Sequence, residues 1–395
     1  TQYYYRLLSL TSPEEIEAGQ TGTFKTLDVK GILRKVSFVA VTGMNQFAFR
    51  IFNFRKNTKL GFPALETIVS HKPDFIVFTG DNVYYDCPFF NRAKTQDKMR
   101  AKWHRQFATP RFTTLFQNMS TYWEKDDHDY RYNDSDPYGS LDPSPDLAAR
   151  TFLEQVPVIA PNDKESLTYR TYRINDLLQI WLTEGRDYRD PNTKAPGPDK
   201  TIWGLRQKAW LKKTLLESTA TFKILISPTP LIGPDDTIIR VQGGVLAPFF
   251  GGNAPGQPDD DRHKRDNHTN PYGFKDEGDA FFAWLTEKGF IKRNFYIICG
   301  DRHWQYHSIR PDGFEEFSTG AIVDRNSRLG RKPGDPLSTD PEGLITQPYI
   351  QDEKSGGFLK VTIVPSKGEQ PATATFAFYD EQGNLLYTTK RTALQ

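Results

Sequence analysis

Several apolar runs in this sequence end abruptly in glycine and acidic residues, and this pattern limits the possible fold more than any other feature. The clearest runs are KVSFVAVTG (35–43), DFIVFTGDNVYYD (74–86), LLQIWLTEGRDYRD (177–190) and IICGDRHWQYHSI (297–309). Short apolar runs closed by turn residues are typical of buried strands. A helix is predicted from Pro63 to Ser70, between the first two runs. Strand, helix and strand in this order indicate an α/β fold with a parallel sheet.

The middle of the chain continues the same pattern. RQKAWLKKTLLES (206–218) and GDAFFAWLTEKG (278–289) predict helices, the first with an apolar stripe opposite its lysines. TFKILISPTPLIG (221–233) predicts another buried strand. The long segment 241–273 is rich in glycine and proline and predicts an irregular loop.

The two ends of the chain have a different character. YYYRLLSL predicts a strand, and the following SPEEIEAG, with Ser12 and Pro13 at its start, predicts a helix. From Gly357 onward, alternating apolar and polar residues predict antiparallel strands at the edge of the main sheet system. We therefore expect an N-terminal extension over residues 1–34 and one domain over residues 35–395, including the C-terminal strands.

Composition excludes several classes of function. A net charge of +2 over 395 residues gives no strong attraction to nucleic acid or to an anionic membrane. No apolar run approaches the ~18 residues that span a bilayer. The only cysteines, Cys87 and Cys299, are too few for a disulfide framework, and we expect two unpaired thiols. The first residue is Thr rather than Met, from which we expect a processed, exported chain.

Acidic and imidazole groups gather after the predicted strands, at the edge where open α/β sheets bind ligands. These residues are Asp81, Asp126, Asp127, His128, Asp301 and His303. Four neighbouring carboxylates repel one another, and a multivalent cation would remove this conflict. Oxygen ligands with one or two imidazoles suit Fe, Mn, Ca, Mg or Zn. Two such ions can hold the attacking and leaving oxygens of a displacement at phosphorus, and Arg186 and Arg189 would clamp phosphoryl oxygens.

Each cluster also has a purely structural interpretation. The Gly-Asp pair that ends at Asp81 could be an ordinary turn, and Asp126 with Asp127 could be a helix cap or a solvated loop. The run 186–190 could form surface ion pairs, and His303 could be a hydrogen-bonded core residue. The coincidence of several clusters at strand ends of one α/β pattern favours a shared metal site.

The motifs that contain these residues occur together in one known family. They are KPDFIVFTGDNVYYD, YWEKDDHDYRYND, WLTEGRDYRD, GLRQKAWL and ICGDRHW. In this order the chain resembles the PhoD-like alkaline phosphatase and phosphodiesterase family, a branch of the calcineurin-like metallophosphoesterases. The resemblance implies an α/β fold with four layers, an α-β-β-α sandwich of two mixed sheets flanked by helices.

The resemblance also implies ligands for the metals. Asp81 would bridge two ions, and Tyr84 would bind ferric iron as a phenolate. Asp127 takes the place of the asparagine ligand usual in the superfamily, and Asp301 and His303 would bind one ion each. We therefore expect two or more metal ions, with Fe(III) and Ca(II) as one combination.

One departure from the family concerns the metal. Members typically have a cysteine iron ligand just after the first strand, where this chain reads VTGMNQF, with Gly43 or Met44 at that place. Without a thiolate the case for iron is weaker, and Mn, Zn or Mg are alternatives. Asn45 could contribute an amide oxygen instead.

The remaining roles concern the substrate. By resemblance, His128 would protonate the leaving oxygen and Arg186 would grip the phosphoryl group. We expect substrate contacts from Asn45, Arg189, Asp266 and His268.

We expect a metal-dependent phosphate ester hydrolase of the phosphodiesterase or alkaline phosphatase type, acting by metal-hydroxide attack at phosphorus. The expected substrate is a small-molecule, saccharide or nucleotide phosphoester, and the expected enzyme is a periplasmic or secreted monomer that does not bind nucleic acid. Two alternatives remain open: a catalytically decayed scaffold that binds a phosphorylated or sulfated ligand, and a sulfate ester hydrolase.

Overall fold

Two large mixed β-sheets lie face to face in the computed structural model and carry helices on their outer surfaces. The structure describes residues 2–12, 15–26, 31–52, 57–159, 163–238 and 263–394. The helices are α1 (Gln46–Phe52), α2 (Ala64–Ser70), α3 (Gln96–Phe107), α4 (Pro110–Asn118), α5 (Asp127–Tyr130), α6 (Pro145–Gln155), α7 (Gly204–Glu217) and α8 (Lys275–Glu287). The strands are β1 (Gln2–Ser12), β2 (Glu15–Lys25), β3 (Val36–Val41), β4 (Phe75–Thr79), β5 (Ser120–Glu124), β6 (Arg170–Arg173), β7 (Leu178–Leu182), β8 (Phe222–Ser227), β9 (Phe295–Cys299), β10 (Gln305–Ile309), β11 (Glu315–Thr319), β12 (Thr346–Ile350), β13 (Gly357–Val364), β14 (Thr373–Asp380) and β15 (Leu385–Thr392).

The two large sheets have related designs. One has six strands in the order β15-β14-β13-β3-β4-β5, and the other has seven in the order β12-β10-β11-β9-β8-β7-β6. Each sheet contains a run of parallel strands: β3, β4 and β5 in the first, where β5 is an edge strand, and β7, β8, β9 and β11 in the second. Antiparallel strands form the other edge of the first sheet and both edges of the second, and the C-terminal strands β13 to β15 join the first sheet through β3, as predicted.

Alternation along the strands divides the core into three layers of contact. Phe38 of β3 and Val77 of β4 pack between the sheets against Ile224 of β8 and Ile298 of β9. The opposite side of the first sheet packs on α2, α3, α4 and α6, and the opposite side of the second packs on α7 and α8. Because both faces of the central strands are covered, they read as continuous apolar runs. The predicted four-layer α/β sandwich is confirmed.

The N-terminal helix prediction was wrong. Residues 15–25 form β2, which pairs antiparallel with β1 over the length of a two-stranded sheet. The Ser12-Pro13 helix-start signal is local, and pairing with the preceding strand overrides it. Among the described residues this hairpin shares no strand pairing with the large sheets, and the domain boundary near residue 34 stays a prediction. Of the predicted irregular loop 241–273, residues 241–262 lie outside the described residues.

Candidate metal centre

Two aspartates leave the parallel strands through the same unusual turn, one from each sheet. Asp81 follows β4 and has φ 54°, and Asp301 follows β9 and has φ 58°. Left-handed backbone is uncommon outside glycine, and aspartate is among the residues that tolerate it. Such geometry often marks functional sites, where surrounding contacts hold the strained residue in place.

These two acids meet others from the segment after β5. Ligand atoms of Asp81, Asp127 and His128 lie within 4.8 Å of one another. A second group, Asp126, Asp127 and Asp301, satisfies the same distance. All five residues are buried, and Asp127 belongs to both groups. Two overlapping groups that share an acid suit two adjacent cations.

Tyr84 and His303 complete the first group on one side. The Tyr84 hydroxyl donates to Asp81 Oδ2 at 2.7 Å, and His303 Nε2 lies 3.1 Å from the same oxygen. Tyr84 Oη is 3.2 Å from His303 Nε2. The structure therefore brings the five predicted ligands together at one edge of the two sheets, although residues 84 and 303 are far apart in sequence.

His128 is held by an acid that the sequence analysis did not single out. Its Nδ1 donates to Asp86 at 2.8 Å, and its ring stacks on Tyr84 with centroids 4.1 Å apart. With Nδ1 engaged, Nε2 is the ring nitrogen left for the site. Burial opposes a charged imidazole, but Asp86, Asp127 and Asp81 raise the pKa of His128 well above its usual value. A carboxylate on the far ring nitrogen fixes the tautomer in this way in many active sites.

Asp129 shapes the loops that carry the ligands. Its carboxylate accepts hydrogen bonds from the backbone N–H groups of Asp126, Asp81 and Asn82, at 2.6, 3.3 and 3.1 Å. It thereby ties the turn after β4 to the start of α5. The only sequence signal was its place as the last acid of DDHD, which did not distinguish it from a ligand.

The electrostatics of the cluster fit a cation. Burial raises the pKa of Asp81 well above the usual range, and Asp127, Asp129 and Asp301 raise it further. Burial also raises the pKa of Asp301, although Arg302 opposes this. For Asp127, by contrast, the charges of His128 and Arg186 outweigh burial and lower the pKa.

Two carboxylate oxygens of the cluster lack hydrogen-bond partners in the described structure. They are Asp81 Oδ1 and Asp126 Oδ2, both buried. Buried polar atoms normally have partners, and exceptions call for an explanation such as an ion. Hard cations take carboxylate oxygens, so this donor set fits the metals that the sequence predicts.

Built-in cations already neutralise two of the acids. Arg302 contacts Asp301 at 2.5 Å and Asp235 at 3.0 Å. Arg186 donates through Nε to Asp126 at 2.6 Å and through Nη1 to the Ser135 carbonyl at 3.1 Å. Arg186 is fully buried, and only its Nη2 has no partner among the described residues. Its contacts are those of an internal ion pair, and the predicted grip on a phosphoryl group stays a prediction.

The residues predicted to contact substrate have varied surroundings. Asn45 Oδ1 accepts from the Ala48 N–H at 3.0 Å at the start of α1. Arg189 donates to the Asp266 carbonyl at 2.6 Å, and burial followed by the charge of Arg186 lowers its pKa to about 10. These contacts are structural, and substrate binding by either residue stays a prediction.

The loop pair Asp266 and His268 divides between two environments. Lys264 and Arg302 outweigh burial and hold the pKa of Asp266 well below its usual range, and Asp266 Oδ2 has no hydrogen-bond partner in the described structure. His268 Nε2 lies 3.0 Å from Glu277 of α8, and its ring lies 4.6 Å from that of Trp203. Asp266 thus interacts with charges of the centre, whereas the contacts of His268 are with a helix on the outer layer.

Position 43, one of the two candidate positions for the family's cysteine ligand, has no room for a side chain. Gly43 has φ 67°, and a Cβ there would lie 2.9 Å from Ala321 Cβ and 3.2 Å from Asn326 Nδ2. Asn326 Nδ2 donates to the Gly43 carbonyl at 2.9 Å and to Tyr84 Oη at 2.8 Å. A side chain at position 43 would thus be strained and would displace Asn326, which the sequence analysis did not identify.

Neither cysteine offers an obvious substitute. Cys87 is buried beside Asn45, whose Nδ2 donates to Sγ at 3.7 Å, and burial raises the pKa of Cys87 to about 12. Cys299 is buried in β9 with Sγ 3.3 Å from the Tyr306 hydroxyl. Within the described residues neither cysteine forms a disulfide, as predicted.

Comparisons with known proteins agree with this fold. A solved structure of PhoD superposes with a TM-score of 0.66 at 17% identity, covering 98% of this chain and 77% of that one. The purple acid phosphatase PPD1 from yellow lupin (Lupinus luteus) seeds has a TM-score of 0.58 at 12% identity, covering 99% of this chain and 59% of that one. At these identities the two similarities show the fold. No curated protein sequence matches the chain.

Two further findings bear on the class of the protein. No helix in the described ranges has the length and apolar character needed to cross a bilayer. The model of the PhoD-like phosphatase family matches residues 52–339, well over half of the sequence. The chain therefore belongs to the PhoD-like phosphatase family.

Proposed function

We propose that this chain hydrolyses phosphate monoesters or diesters at alkaline pH with two metal ions bound at the candidate centre. Family membership supports the coarser statement, a metal-dependent phosphoesterase. The observation that carries the proposal is the pair of overlapping buried groups that share Asp127 and include Asp81 and Asp126, each with a carboxylate oxygen that lacks a partner.

The proposed ligands are Asp81, Tyr84, Asp127, Asp301 and His303. Cations held there would activate the attacking water and stabilise the phosphoryl oxygens. The bridging role of Asp81 is proposed from the family resemblance, and its contacts with Tyr84 and His303 are consistent with a place among the ligands. The phenol of Tyr84 suits a trivalent ion, so Fe(III) beside Ca(II) is the proposed pair, with Mn, Zn and Mg as alternatives.

His128 is the proposed general acid. Asp86 holds Nδ1 and the surrounding acids favour the protonated ring, so Nε2 carries a proton toward the site. This proton would pass to the oxygen of the leaving alcohol as the bond to phosphorus breaks. Arg186 would act through its ion pair with Asp126, which fixes the acid beside Asp127.

Turnover with defined metals tests the proposal. The chelated protein is reloaded with Fe, Mn, Ca or Zn and assayed with p-nitrophenyl phosphate, bis-p-nitrophenyl phosphate and p-nitrophenyl sulfate. We expect hydrolysis of at least one phosphate ester and its loss on renewed chelation. Hydrolysis of the sulfate ester alone would favour a sulfatase, and no turnover with any metal would refute the enzymatic proposal.

A ligand-binding protein without turnover is the second candidate. The observation that favours it is the ion pairing of Asp301 with Arg302 and of Asp126 with Arg186, because each arginine occupies one carboxylate oxygen of the candidate centre. Elemental analysis separates the two candidates. Two ions for each chain support the hydrolase, and one ion or fewer, together with phosphate binding, supports the binding protein.

A further inference from the structure

Several positive groups around the candidate centre form ion pairs with buried acids. Arg302 pairs with Asp301 and Asp235, and Arg186 pairs with Asp126. Lys264 contacts the same Asp235 carboxylate at 2.8 Å. These cations stabilise buried acids, and a substrate that used them would have to displace a charged partner.

Arg328 has fewer contacts than these groups. In the described structure its guanidinium has no carboxylate within ion-pair distance, and its Nε is buried without a hydrogen-bond partner. Arg189 shares both features, but its Nη groups donate to the carbonyls of Gly185 and Asp266, whereas Arg328 makes no side-chain hydrogen bond within the described residues. The guanidinium lies 5.9 Å from the centre of the Trp304 ring. A desolvated donor with no acceptor is costly, and a tetrahedral oxyanion matches a guanidinium in geometry and charge.

The backbone around Arg328 places it beside two of the proposed ligands. Its N–H donates to the His303 carbonyl at 2.8 Å. Two residues earlier, Asn326 Nδ2 donates to Tyr84 Oη at 2.8 Å. The segment 326–328 therefore contacts both Tyr84 and His303, the ligands that flank Asp81.

We propose that Arg328 binds the phosphoryl oxygens of the substrate, the role that the sequence analysis gave to Arg186. The inference rests on the proposed function and names the residue that recognises the tetrahedral anion of that substrate. The Trp304 ring lies beside the guanidinium, and the backbone bond to His303 holds Arg328 next to a residue that would bind a metal ion. The ligand class is a phosphate ester or free inorganic phosphate.

Substitution of Arg328 with two readouts tests this. In Arg328→Ala we expect KM for p-nitrophenyl phosphate and the inhibition constant of inorganic phosphate to rise about 10- to 100-fold, the usual worth of a charge-assisted hydrogen bond. Added guanidinium ion should restore part of the affinity in Arg328→Ala. Arg328→Lys should fall between the two because it keeps the charge and loses the bidentate geometry.

Arg325→Ala is the matched control, because Arg325 is an exposed arginine of the same segment, and we expect unchanged constants. Metal content and melting temperature should match wild type in all variants. Titration calorimetry of inorganic phosphate into the metal-loaded protein measures binding without turnover, so it tests Arg328 even if no ester is hydrolysed. Phosphate binding and KM that are unchanged in Arg328→Ala would overturn the proposal.

Discussion

The turns after β4 and β9 present an acid in the same left-handed backbone, yet they treat its charge differently. Asp81 Oδ2 contacts the hydroxyl of Tyr84 and Nε2 of His303, and Oδ1 has no hydrogen-bond partner among the described residues. Asp301 has the guanidinium of the next residue, Arg302, at 2.5 Å. The first turn leaves its acid without an arginine or lysine in ion-pair contact among the described residues, and the second pairs its acid with an arginine.

This difference indicates that the two acids contribute differently to metal binding and to the stability of the metal-free protein. An uncompensated buried acid lowers the stability of the metal-free protein and gives strong binding energy to a cation. A compensated acid is stable alone and binds a cation only after partial release of its arginine. We expect metal retention to depend more on the β4 turn than on the β9 turn.

Asp81→Asn is expected to have the largest effect. The amide keeps the shape of the side chain but removes the charge, so at least one metal should be lost and activity should fall about 10³-fold or more. Elemental analysis and the rate with bis-p-nitrophenyl phosphate measure this. Asp97→Asn, on the exposed face of α3, is the control, and equal metal content in wild type and Asp81→Asn would contradict the comparison.

Arg302→Ala is expected to destabilise the metal-free protein by about 3–5 kcal/mol, since Asp301 and Asp235 lose a buried partner. Added metal should recover part of this loss by replacing the missing charge beside Asp301. Urea unfolding with and without chelator gives both values. Arg206→Ala, which breaks an exposed pair with Glu165, should cost less than about 1 kcal/mol.

Glu277 of α8 extends the comparison to a buried acid outside the candidate centre, where His268 is its partner. The hydrogen bond and charge of His268 outweigh burial and lower the pKa of Glu277 to about 2, below its usual 4.5. A lowered acid pKa stabilises the fold above about pH 4.5, and this contribution is lost as pH falls toward 2. Glu277→Gln should remove on the order of 2 kcal/mol of pH-dependent stability. Urea unfolding between pH 6 and pH 2.5 measures it, and an unchanged pH profile would contradict the pairing.

Asn45→Ala should have the smallest effect and separates two roles. If Asn45 only caps α1 through its bond to the Ala48 N–H, the cost is about 1 kcal/mol of stability. KM should then stay at the wild-type value, and Asn45→Asp should keep the cap. A rise in KM in Asn45→Ala, without a change in metal content, would instead support the predicted substrate contact.

The sequence was most informative where a candidate ligand comes directly after a buried strand. The apolar runs before Asp81 and Asp301 had to be buried, and the residues after them had to reach the edge of a sheet, so both acids could be predicted. The same logic failed at residues 15–25, where a helix-start signal was read without the strand that pairs with it.

Contacts between distant residues could not be predicted in this way. Asn326 reaches Tyr84 across 242 positions, and Asp86 reaches His128 across 42. Neither lies in a motif that marks it as a partner. The burial of Arg186 could not be predicted either. An arginine that follows a strand has the same sequence pattern whether it binds substrate or forms an ion pair with Asp126.

The pairing of β3 with β13 has a consequence for biosynthesis. Ala40 in β3 lies opposite Leu359 in β13, 319 positions later (359 minus 40), so the strand that leads into the candidate centre gains its second neighbour only after β13 has been made. Until then one edge of β3 offers unpaired backbone groups that invite pairing with other chains. Contacts this distant in sequence form slowly. Nascent chains of this protein should therefore depend on chaperones or dilution until β13 is made, and a stop codon before residue 357 should yield aggregates rather than a smaller active enzyme.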